Sequence, residues 1–270
     1  EIEAFHAAFF AHFEQGQLAV RQMLQAGLPL SMLRLSTASE TETTLALAGH
    51  ERLIGALERL LRLRGVGQGK CMLLLGFTGR ETQVKAARKE ALGIAGDHDG
   101  VHVGRTFGKE WHKSRFRTPY LRNTLWELGY AIDTLETATG WANIPAMLEA
   151  IEAALSTALE DVGERVLVFS HLSHLYPYGS SIYTTYLYRI AGGPDRQQAA
   201  EETLRRWQVL KAAASEAIVA QGGTISHQHG IGTDHLPYLP REKGTLGVEA
   251  IADLCNRFDP EGTMNPGKLI

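Results

Sequence analysis

The chain has 270 residues, 44% hydrophobic and 21% charged, a composition that suits a globular protein able to bury a substantial core. Its 27 basic and 30 acidic residues leave a formal net charge of -3, which gives no electrostatic reason to expect nucleic acid or an anionic membrane as partner. Two cysteines, Cys71 in an apolar run and Cys255 on a predicted helix, exclude a disulfide framework and point to a reducing, cytoplasmic setting with both thiols buried in packing.

In chain order, Gln15 to Ala26 carries Leu18, Val20, Met23 and Leu24 at helical spacing and stops at Gly27. Met32-Leu33-Arg34-Leu35 follows as a strand, and a second helix runs through Glu51 to Leu57. The glycine-rich Gly65 to Lys70 leads into a strand, Cys71 to Phe77, whereas a phosphate-cradling loop follows a strand and opens a helix; a flexible turn is the better reading. Thr78 and Glu81 have the spacing of a capping box for a helix to about Ala95, and Val101 to Val103 is a short strand. Tyr130 to Thr137 alternates as a half-buried strand, and Ala146 to Leu159 aligns Met147, Ile151, Leu155 and Leu159 on one helical face. Arg165 to Ser170 and Ser181 to Tyr188 are two strands close enough to be antiparallel neighbours; a long helix from Asp195 to Gln221 ends at Gly222-Gly223. These connections predict an α+β fold of ferredoxin-like type, an antiparallel sheet covered by helices on one face.

Chemistry-bearing residues gather in the C-terminal half. Tyr176, Tyr178, Tyr183, Tyr186 and Tyr188 crowd two neighbouring segments, with Tyr186 and Tyr188 on one strand face and Tyr183 on the other, so one face packs and the other meets a pocket. His171, His174, His227, His229 and His235 have no acid or cysteine interleaved at metal-ligand spacing. The glycines near Ser180 and Ser226 do not form a nucleophile elbow. Ser226-His227-Gln228-His229-Gly230-Ile231-Gly232, then a closing helix and the Asn265-Pro266-Gly267-Lys268 turn, set imidazoles between glycines as a flat cofactor requires.

That ending resembles the end of the FAD-linked oxidases of the vanillyl-alcohol-oxidase superfamily. Trp111 to Arg122, Asp133 to Trp141, Tyr176 to Tyr183 and, upstream, Phe13 to Gly16 and Met32 to Leu35 are similar, in order and spacing, to the alkyldihydroxyacetonephosphate (alkylglycerone-phosphate) synthase branch. The resemblance covers nearly the whole chain. It implies one C-terminal substrate, or cap, domain over residues 1–270, with a flavin-contacting segment from about 224, and an FAD-binding domain lying outside this sequence.

Carried over position by position, the resemblance puts Tyr183, His229 and His227 in catalysis, Arg34 and Arg122 on an anionic substrate group, and His227, Gln228 and Asn265 against FAD. Phenols and imidazoles move protons, and guanidinium forks suit phosphate or carboxylate. The implied reaction exchanges acyl for alkyl on a dihydroxyacetone phosphate ester, with an intermediate held on the flavin and no net oxidation. The implied partner is an FAD-binding domain, on the same longer chain or another subunit, and a homodimer is allowed. The Asn-Pro-Gly-Lys ending, and Gln228 within the histidine run, keep open a D-lactate or 2-hydroxyglutarate type dehydrogenase, and an isolated chain could be a binding module. The metal-binding members of that dehydrogenase branch carry histidines where this chain has Tyr176 and Tyr183 and a glutamate where it has Gln228, so no catalytic metal is expected.

Overall fold

The computed structural model describes residues 1–49, 51–116 and 120–269, so Arg117, Thr118 and Pro119 of the Trp111 to Arg122 motif lie outside the described residues. The elements are β1 (Ile2–Phe10), α1 (Phe13–Gln25), β2 (Met32–Ser36), α2 (Ala38–Leu47), α3 (Glu51–Leu63), β3 (Cys71–Gly79), α4 (Glu81–Asp97), β4 (Val101–His102), α5 (Thr106–Ser114), α6 (Leu121–Glu127) and β5 (Tyr130–Gly140), followed by α7 (Ile144–Thr157), β6 (Leu167–Tyr176), β7 (Gly179–Arg189), α8 (Arg196–Ala220), α9 (Gly232–His235) and α10 (Leu239–Phe258). Strands β4, β1, β3, β2 and β6 lie side by side in that order, with the pairs β1–β3, β1–β4, β2–β3 and β2–β6 antiparallel, and β7 lies beside β5; these are the antiparallel strands with helices over them that the sequence predicts. The chain divides into two compact units, Glu1–Thr124 with Phe169–Ser180, and Leu125–Val168 with Ser181–Ile270. No described helix is long and apolar enough to cross a membrane.

In the first unit, β1 pairs along its whole length with β3, from Ile2 opposite Gly79 to Phe10 opposite Cys71. Every residue from Ala4 to Phe10 is buried, and the reason lies on both sides. Ala7, Phe9, Met72 and Leu74 pack under Leu45 of α2, Leu57 and Leu61 of α3, and Phe107 and Trp111 of α5. Gly108 lets α5 lie on the strand itself, because a Cβ there would come within 2.6 Å of the Phe5 carbonyl carbon. On the opposite face, Gly16 of α1 meets Leu35 and Phe10, and α4 packs on β3. Helices thus cover this unit's strands on two faces, where the sequence reading placed them on one.

In the second unit, Met147, Ile151 and Leu155 of α7 and Leu210, Ala214 and Ile218 of α8 form two buried stripes at helical spacing, and the two helices pack on each other. Asp195 caps α8 by accepting from the amides of Gln197 and Gln198. Three local expectations change. The capping box is absent, since β3 runs on through Thr78, whose hydroxyl bonds Ser31, and α4 opens behind Arg80. The strand expected over Arg165 to Ser170 is β6, which starts at Leu167 and extends to Tyr176. Cys71 is buried, with its thiol pushed up to about 12 by burial, but Cys255 is partly exposed on α10.

Candidate functional site

The site in the second unit begins where α8 ends. Gly222 turns in the left-handed region at φ 70°, and Gly223 packs so close to β5 that a Cβ would meet Thr137 Oγ1 at 2.7 Å and Met147 Cε at 2.6 Å. The chain then runs along β5, with the Thr224 amide donating to the Ala138 carbonyl (3.2 Å) and the His227 amide to the Glu136 carbonyl (2.9 Å). Glu242 of α10 fastens it from the other side, accepting from the Ile225 amide at 2.7 Å and the Thr224 hydroxyl at 3.1 Å. Burial raises the Glu242 carboxyl, and the donors from Lys243, Ile225 and Thr224 outweigh that and hold it below the usual range.

Beyond this anchored stretch Gln228, Gly230 and Gly232 all have positive φ, at 63°, 75° and 59°. The turn brings two imidazoles to one carboxylate. His227 Nδ1 lies 3.0 Å from Glu136 Oε1, and His229 Nε2 lies 3.3 Å from Glu136 Oε2. The Glu136 side chain is only 1% exposed. Tyr183 of β7 meets the His229 ring edge-on, 6.1 Å between centroids. Tyr183, His227, Gln228 and His229, named from the sequence, therefore share one neighbourhood, and Glu136 is the residue that sequence reasoning missed. Its signal was a carboxylate at a position of a half-buried strand where an apolar residue would ordinarily stand.

The alternation predicted for β7 holds. Tyr186 and Tyr188 are buried on the face opposite Tyr183. Tyr186 donates its hydroxyl to Asp133 at 3.0 Å, and Trp207 Nε1 of α8 donates to the same oxygen at 2.7 Å, with Lys211 Nζ at 3.5 Å. Burial raises the Asp133 carboxyl, but the Lys211 charge and these donors win and hold it low. Burial and the Asp133 charge raise both phenols, Tyr188 to about 12. Asp133 and Glu136 are three residues apart on one strand and so face opposite ways: the first braces α8, and the second serves the imidazoles. Beside His229 a cleft of about 400 Å³ is lined by Thr134, Lys211, Asp234, His235 and Lys268.

Asn265 lies exposed in the turn after α10 at φ 52°. That turn is shaped by Asp259, which accepts from the amides of Thr263 and Met264. Arg34 and Arg122 belong to the first unit. Arg34 Nη2 is held by Glu40 Oε1 at 2.8 Å and lies 3.2 Å from His171 Nδ1, itself 2.8 Å from that carboxylate. Burial raises the Glu40 carboxyl, but the charges of His171 and Arg34 more than offset it and bring it to about 2. Arg34 is thus braced at a strand, with its side chain 29% exposed. Arg122 is exposed on α6, with no ion pair among the described residues. The glycine-rich Gly65 to Lys70 is a turn before β3, and Lys70 pairs with Glu58 at 3.2 Å.

The family model described as FAD linked oxidases, C-terminal domain, matches residues 1–269. The chain belongs to that family. Among curated proteins it is 24% identical to the alkyldihydroxyacetonephosphate synthase of Trypanosoma brucei brucei, over 100% of this chain and 44% of that one. The synthase of Dictyostelium discoideum is also 24% identical, over 98% of this chain and 43% of its own length. A solved alkyldihydroxyacetonephosphate synthase superposes with a TM-score of 0.74 at 19% identity, over 98% of this chain and 45% of that chain, and shares the fold. The chain spans under half the length of these relatives, the share expected of a C-terminal family domain.

Proposed function

We propose that this chain is the substrate-binding and catalytic C-terminal part of an FAD-dependent enzyme that exchanges the acyl group of a dihydroxyacetone phosphate ester for an alkyl group. Its partner is an FAD-binding domain, on the same longer chain or on another subunit. The observation that carries the reading is the Tyr183, His229, His227 and Glu136 group, held on β5, β7 and an anchored loop in a family C-terminal domain that runs the length of the chain.

The residues suit a flavin. A Cβ added at Gly230 or Gly232 would meet nothing within 4 Å, so this backbone borders open space that a flat ring can approach. His227, Gln228 and Asn265 carry the polar groups for its edge, and the bound flavin supplies an electron-accepting, electrophilic ring system. Within this chain Tyr183 and His229 move the protons that carbon–oxygen exchange requires. Arg34 and Arg122 receive the anionic group, for which guanidinium forks are suited. The free cysteines fit a reducing, cytoplasmic setting.

The test is the visible spectrum of the flavoprotein in its natural length, without oxygen. Bleaching on addition of an acyl-dihydroxyacetone phosphate, with no acceptor consumed, is the expected result. Bleaching by a 2-hydroxy acid instead would make it a dehydrogenase, and absence of any flavin band would make the chain a binding module.

A further inference from the structure

Glu136 is nearly inaccessible, yet both of its carboxylate oxygens face imidazole nitrogens from one short loop. An ionised carboxylate only accepts hydrogen bonds, so a ring nitrogen held against it is the one that carries hydrogen. We infer that Glu136 is a positioning residue that fixes the tautomers of both imidazoles, setting the protons on His227 Nδ1 and His229 Nε2.

The surroundings explain why the arrangement is stable. The His227 amide donates to the Glu136 backbone carbonyl at 2.9 Å, which locks the histidine beside its acceptor. Gln228, at φ 63°, turns the chain so that the next imidazole reaches the second oxygen. A buried carboxylate without donors is costly; His227 hydrogen-bonds Oε1 at 3.0 Å, and His229 Nε2 stands 3.3 Å from Oε2. In each neutral ring the lone pair then sits on the nitrogen away from Glu136, which is His229 Nδ1 in the ring that meets Tyr183. His229 Nδ1 is thereby left with the lone pair of a base, in a ring that meets Tyr183 edge-on.

The consequence for turnover rests on the proposed function, but the tautomers do not. The first measurement is therefore on the unaltered protein: two-bond ¹⁵N–¹H correlation of histidine-labelled material at pH 8, with His227→Asn and His229→Asn used to assign the two rings. Hydrogen on His227 Nδ1 and His229 Nε2 is expected. Hydrogen on the opposite nitrogens, or averaging between tautomers in either ring, would overturn the inference. The second is Glu136→Gln, whose amide can donate as well as accept and so no longer dictates the tautomer. In the flavin-loaded protein its kcat should drop about 100-fold with KM within about twofold, because misoriented proton transfer is lost while substrate contacts remain. Glu136→Asp, which keeps the charge on a shorter arm, should recover at least part of that loss. If Tyr183→Phe abolishes turnover and Glu136→Gln leaves kcat intact, the inference fails and the proposed function stands. If Tyr183→Phe and His229→Asn both leave turnover intact, the proposed function fails, and the tautomer measurement still decides the inference.

Discussion

Tyr183 and Tyr186 lie three residues apart on β7 and should respond to the same atom deletion in opposite ways. Tyr186→Phe removes one hydroxyl from a ring that is fully buried and leaves its volume almost unchanged, so no cavity forms. What is lost is the 3.0 Å bond to Asp133, a hydrogen bond to a charged group worth about 1.5–3 kcal/mol. Asp133 keeps Trp207 at 2.7 Å and Lys211 at 3.5 Å, so the carboxylate is not orphaned and the loss should fall near the lower end, about 1.5 kcal/mol. For a chain of this size that corresponds to a drop in Tm of roughly 3–6 °C. Tyr183→Phe should cost under about 1 kcal/mol and abolish turnover of the flavin-loaded protein. Urea unfolding monitored by tryptophan fluorescence, alongside steady-state kinetics, reads both. Equal destabilisation by the two variants, or loss of activity in Tyr186→Phe with unchanged stability, would refute the division of β7 into a packing face and a site face.

Burial, then the charges of His102, Arg88 and Arg105, depress His6 from an ordinary 6.5 to about 4. The unfolded chain takes up this proton first, so the stability that neutral His6 contributes is complete above about pH 6.5 and is lost as pH falls towards 4, by up to about 3 kcal/mol. His6→Asn should flatten that part of the stability profile measured by urea titration; an unchanged slope would remove His6 as its source. Ile151→Ala on α7, fully buried in the wild type, should cost about 2–5 kcal/mol in the same assay. A loss under 1 kcal/mol would mean that the α7 stripe is not core. Arg122→Lys should raise KM for an anionic substrate several-fold while leaving kcat and Tm in place, since Arg122 is exposed and the ammonium loses bidentate geometry; normal KM would take Arg122 out of the anion site.

Much of the architecture is legible because it depends on local period. The β3 strand announces itself as an apolar run behind a glycine-rich turn, and α7 shows its buried stripe directly. The β1 strand escapes the same reading because burial on both faces erases the alternation that marks a strand. Thr78 misleads because Thr and Glu at capping spacing are a motif only if the backbone leaves the extended conformation there, and β3 continues past it. The site is half legible for another reason. Its histidines and tyrosine carry motifs, whereas the acids that organise the charged groups come from far away: Glu136 stands 91 positions before His227, and Glu40 stands 131 before His171. No spacing rule spans such separations, so only the fold reveals those pairs.

Because Asp133 and Glu136 occupy opposite faces of one strand, β5 acts as a ruler whose zero point matters more than its composition. A single-residue deletion between Tyr130 and Asp133, compensated by an insertion after Gly140, would preserve nearly every residue yet shift the strand's phase by one. The carboxylate that braces Trp207 and the one that serves the imidazoles would then trade sides. The protein would lose its helix anchor and its proton-holding group in one step, so insertions and deletions should be tolerated in the chain's turns and selected against within these eleven residues.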